Sequence, residues 1–80
     1  MRLPRDLSGL ALAKALARLG YSVDYQRGSH IRLTTQQPRE HYITIPAHDP
    51  LKVGTLNAIL REVADHAGLE REALLHRLFE

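Results

Sequence analysis

Between Ser8 and Gly20 the apolar residues Leu12, Leu16 and Leu19 return at helical spacing, with Ala13 and Ala17 keeping the packed face small. Ser8 is a good N-cap for that helix, and Gly20 ends it as a C′ residue does. The period then switches to two. Tyr21, Val23 and Tyr25 alternate with Ser22, Asp24 and Gln26, which predicts a half-buried strand. A second strand follows, with Ile31 and Leu33 apolar and His30, Arg32 and Thr34 polar. For Tyr25 and Ile31 to share a face, the connection must hold an odd number of residues, such as Arg27-Gly28-Ser29, or the pair must contain a bulge. After the polar turn "TQQPRE", "HYITIP" forms a third strand whose Ile43 and Ile45 share a face before Pro46 closes it.

From Thr55 the pattern is helical again, with Leu56, Ile59, Leu60, Val63 and Ala67 on one stripe and Gly68 as its end. "LEREALLHRLF" predicts a shorter last helix with Leu74, Leu75, Leu78 and Phe79 inward, although Glu70 is a poor N-cap. The expected order is α-β-β-β-α-α. That is an α+β fold in which helices cover the apolar face of one three-stranded antiparallel sheet.

Eighty residues form one small domain, 1–80, and a chain of this size buries only about 60% of its unfolded surface. With no Cys, thiolate metal sites, thiol nucleophiles and disulfide staples are all ruled out. Asp6, Lys14 and Arg18 interrupt the apolar residues near the N-terminus, so that segment does not read as a signal peptide or membrane span. The expectation is a cytoplasmic protein without a membrane partner.

The net charge of +2 is unevenly spread. Residues 1–60 carry eight Lys or Arg against four Asp or Glu, whereas residues 61–80 carry three against five. Arg27, Arg32, Arg39 and Lys52 lie in the basic part, where they suit contact with a phosphate backbone or act only as solvated charge.

With the helices on the face of Tyr21, Val23, Tyr25, Ile31, Leu33, Ile43 and Ile45, the opposite face would carry Gln26, His30, Arg32, Thr34, Tyr42 and Thr44. Turn chemistry accounts for Gly28 and Ser29 but not for a His at the start of the next strand. A His there can exchange a proton at neutral pH while neighbouring Arg side chains hold a phosphate. This set suits RNA cleavage through the RNA's own 2′-hydroxyl, which needs no metal. The plain alternative is a solvent-facing His30 with no task. The five His residues have neither HExxH spacing nor a Cys partner, so no zinc site is expected. His48-Asp49 reads equally as a base with its orienter or as part of an Asp-Pro turn, while His41 and His76 fall at rims.

The helix from "SG" to "GY", the "RGSH" hairpin, the "IPAH" strand end and "KVGTLNAIL" together resemble the HicA, or YcfA-like, family of toxin-antitoxin toxins. The resemblance covers residues 8 to about 75. It implies a double-stranded-RNA-binding-domain-like α-β-β-β-α fold, here with an added C-terminal helix. It also implies a ribosome-independent messenger-RNA endonuclease that needs no cofactor and is blocked by a HicB-like antitoxin. The family's catalytic histidine matches His30, its second motif histidine matches His48 as an auxiliary group, and its helix-start motif matches Gly54 and Thr55. Arg27, Gly28, Ser29, Arg32 and Lys52 are then the RNA-contacting residues. The chain departs from the pattern where "REVADHAG" lengthens the penultimate helix. The acidic tail beyond it is open to an antitoxin, a second copy of the chain, or neither. A non-catalytic RNA-binding or partner-binding module on the same fold is the alternative.

Overall fold

Ser8 opens the first helix in the computed structural model, which describes residues 3–80. Its hydroxyl accepts the Ala11 N–H at 3.0 Å, filling one of the donors a helix start leaves unpaired. Helix α1 (Gly9–Leu16) tightens into a 3₁₀ turn, Ala17–Leu19, and Gly20 at φ 87° ends it. The tightening turns Ala17 out to solvent, away from the packed face predicted for it, while Leu12, Leu16 and Leu19 stay buried.

Three strands follow as a meander in the order β1 (Ser22–Arg27), β2 (His30–Thr35) and β3 (His41–Pro46), antiparallel throughout. Helices α2 (Val53–Ala67) and α3 (Arg71–Phe79) complete the chain. The architecture is thus the expected α+β one, with a C-terminal helix added to α-β-β-β-α. Leu56, Ile59, Leu60 and Val63 of α2 and Leu74, Leu75 and Leu78 of α3 pack with Leu12 and Leu16 over Ile31, Leu33, Ile43 and Ile45. Each such side chain contributes about 1.5–3 kcal/mol when fully buried. No side chain caps α3 at Glu70, so its place rests on its three buried leucines.

Strand β1 departs from the expected alternation. Gly28 and Ser29 form a two-residue turn that pairs Arg27 with His30, and Gly28 supplies the positive φ of 58° that such hairpin turns require. That register sets Tyr25 opposite Arg32, and a bulge at Asp24 restores the Val23–Leu33 pair beyond it. Tyr25 therefore faces away from the helices, 51% exposed, and Gln26 takes the helix side opposite Ile31. Val23 shares its side with Leu33 but lies on the edge strand, 54% exposed. Of the three apolar residues expected inward from this segment, only Tyr21 is buried. The shared face expected for Tyr25 and Ile31 is therefore not formed: the turn holds two residues, and the bulge lies beyond Tyr25, where it cannot bring that side chain back to the helix side.

Candidate functional site

Three sequence motifs meet at one end of the sheet. The β1–β2 turn is tied to the chain leaving β3 by a bond from the Ala47 N–H to the Ser29 carbonyl at 2.6 Å. On the other side of that segment, the His48 carbonyl accepts the Gly9 N–H at 2.9 Å, so the start of α1 is held against the same backbone. A neighbouring bond from the Leu51 N–H to the Leu7 carbonyl, 2.8 Å, secures the approach to α2. The contact at Gly9 is close enough to require glycine, because a Cβ there would lie 2.0 Å from the Pro46 carbonyl oxygen. "SG", "RGSH" and "IPAH" are thereby one structural unit.

His30 stands at the head of β2, between Arg27 and Pro46 in the cross-strand register, with its side chain exposed on the sheet face away from the helices. It makes no hydrogen bond or ion pair with the described residues, so both ring nitrogens are open to a ligand. Arg27 is exposed beside it. His48 is also exposed at this end of the sheet, where its carbonyl anchors Gly9. Lys52 is the exposed N-cap residue of α2, and Gly54, in its first turn, has open space around it.

Arg32 is less free than its neighbours. Its Nε lies 3.5 Å from an Asp24 carboxylate oxygen, and its guanidinium carbon sits 4.5 Å from the Tyr42 ring centre and 5.7 Å from that of Tyr25. Tyr42 is 46% exposed, and its ionisation is pushed up chiefly by a hydrogen bond to Glu40. A Tyr-Arg-Tyr row thus crosses all three strands on the open face. The sequence pattern did not reveal this row, because the two-residue turn that sets Tyr25 opposite Arg32, and the bulge that follows it, leave no mark on the alternation.

A second polar group was also missed. His41 lies on the helix side of β3, where its Nδ1 and the Tyr21 hydroxyl are 2.8 Å apart and its Nε2 is 3.2 Å from a Glu62 oxygen. Its ring stacks on that of buried His66 at 4.3 Å, and the His66 Nε2 reaches the Gln37 carbonyl at 3.2 Å. His41 is therefore half-buried in a helix-to-sheet network, away from the rim position read for it. Tyr21 has its ionisation pushed up to about 12, first by burial and then by the Glu62 carboxylate. His76 does lie exposed, paired with Glu80 and Glu72.

Among the described residues no three His, Asp or Glu side chains converge as a metal-binding set, and no helix is long and apolar enough to cross a membrane. No curated protein and no solved structure matches the chain. A family model described as the HicA toxin of bacterial toxin-antitoxin systems matches residues 11–64, a span that contains His30, His48, Arg27, Gly28, Ser29, Arg32 and Lys52. That match takes in well over half of the 80 residues, including the "RGSH" and "IPAH" segments of the junction, and the chain belongs to the HicA toxin family.

Proposed function

We propose that this chain is a metal-independent messenger-RNA endonuclease, the toxin of a pair whose HicB-like antitoxin blocks the His30 end of the sheet. The carrying observation is an exposed, unpaired imidazole on the central strand, set beside a glycine turn that is tied by backbone bonds to the other motif segments. RNA contains its own nucleophile, so the protein has to move protons and stabilise charge on one phosphate. In this reading the 2′-oxygen attacks the adjacent phosphorus, the bond to the 5′-oxygen breaks, and a cyclic phosphate and a 5′-hydroxyl result. His30 takes the proton of the 2′-hydroxyl or supplies one to the leaving oxygen. Arg27 and Lys52 hold phosphate oxygens, the open backbone at Gly28 and Ser29 lets the RNA approach, and His48 is an auxiliary group. Arg32 contacts RNA from within its aromatic row.

The test uses one RNA of defined sequence in two forms, with and without the 2′-hydroxyl at the cleaved position. Cleavage in excess EDTA of the first form alone is expected. Activity that disappears in EDTA and returns with added Mg²⁺, or cleavage of the deoxy form at an equal rate, overturns this mechanism. RNA that is bound but never cut identifies a binding module instead.

A further inference from the structure

The open face holds more than the proton-transfer group. Tyr25 and Tyr42 stand on the two outer strands, about half exposed, with Arg32 between them on the central strand. Exposed aromatic rings on a sheet face offer surfaces on which bases stack, and a base has a free face for such stacking only when its strand is unpaired. The charges on this face are divided. Asp24 offsets Arg32 within the row, while Arg27 and His30 lie at the turn end without an ion-pair partner among the described residues. His30 and Arg32 are two residues apart on one face, a spacing of about 6.6 Å along a strand. The row thus suits the apolar faces of bases, and the turn end suits phosphate.

From this placement we infer that Tyr25 and Tyr42, braced by Arg32, form a base-stacking platform that makes the substrate single-stranded RNA and delivers the phosphate next to the stacked bases to His30. The inference rests on the endonuclease reading above and adds to it a substrate class and two binding residues. A duplex keeps its base faces inside the stack and gains nothing from the platform. The specificity expected is tolerant of sequence, because stacking does not read base edges.

The experiment measures affinity of the intact protein for short 2′-O-methyl oligonucleotides, which lack the attacking hydroxyl and stay uncut. Wild type, Tyr25→Ala, Tyr42→Ala and the two Tyr→Phe variants are compared on single strands, on a duplex, and on a strand with abasic positions. Each Ala variant should bind the single strand about 5- to 100-fold more weakly, and each Phe variant within about twofold of wild type. Wild type should lose similar affinity on the abasic strand, and the Ala changes should then add little. Thermal melting of each variant establishes that it is folded. Ala variants that bind the single strand as well as wild type overturn the platform while leaving the endonuclease reading in place. Should those variants instead lose capture of a HicB-like antitoxin, the row is a protein contact and the inference falls. If wild type binds none of these strands, the platform and the RNA reading fall together.

Discussion

Gly9→Ala isolates the junction that positions the His30 end of the sheet. Gly9 begins a helix, so alanine there would ordinarily stabilise the chain by up to about 1 kcal/mol through helix propensity. The structure opposes that gain. The added Cβ would fall 2.0 Å from the Pro46 carbonyl oxygen, 3.0 Å from its carbon and 3.1 Å from the Ala47 Cα, and all three are backbone atoms that no rotamer change can move. Relief requires α1 and the end of β3 to separate by an ångström or more, which stretches the Gly9–His48 bond at 2.9 Å. Overpacking of this kind costs about 1–3 kcal/mol, and the strained hydrogen bond adds about 0.5–1.5 kcal/mol. After the propensity gain is subtracted, a net loss of about 0.5–3.5 kcal/mol remains, or roughly 2–28 °C in Tm for a domain of this size. Gly54→Ala is the matched control, because its Cβ meets nothing within 4 Å. It should be neutral or raise stability by up to about 1 kcal/mol. Urea denaturation and thermal melting of the two variants settle the matter. A Gly9→Ala protein as stable as wild type would refute the close approach and, with it, the account of how "SG" and "IPAH" are joined.

Tyr21 carries a pH prediction. With its folded ionisation raised from 10.0 to about 12, its share of stability is complete below pH 10 and is lost as pH rises from there toward 12. The Tm advantage of wild type over Tyr21→Phe should therefore shrink above pH 10, by on the order of 1–2 kcal/mol in stability, and a constant difference up to pH 11.5 would contradict the burial argument. Arg27→Ala and Lys52→Ala should each weaken binding to unrelated single-stranded RNAs alike and flatten the salt dependence by about 0.7 in slope, whereas an unchanged slope identifies solvated charge.

The helices and the order of strands were legible because their signals are local. Ser8, Gly20 and Gly68 mark helix ends through their own backbone chemistry, and the leucine spacing of α2 and α3 specifies one buried stripe each. The exposure of His30 also followed from alternation, because β2 and β3 run without interruption. What failed was set by the hairpin itself. Its two-residue turn pairs Tyr25 with Arg32 on the open face, and the unpartnered Asp24 then returns Val23 to the side of Leu33, so neighbouring apolar positions of one strand fall on opposite faces. The His41–His66 stack was illegible for a different reason. It joins residues far apart in sequence, and neither belongs to a motif whose spacing gives it away. Gly9 read as half of a helix-start signature, yet its demand for glycine comes from a strand end that only the tertiary fold brings near.

In the endonuclease reading His30 performs chemistry and supports none of the core. His30→Ala should alter stability by about 0.5 kcal/mol or less, as exposed substitutions do, and should leave RNA binding in place. Cleavage should meanwhile slow by about 10²- to 10⁴-fold, the loss expected for a general acid or base. Melting, binding and cleavage are to be measured side by side for wild type, His30→Ala and His48→Ala. A folded His30→Ala protein that binds RNA and no longer cuts it is the expected result, and cleavage at the wild-type rate, or an unfolded variant, would contradict a catalytic His30.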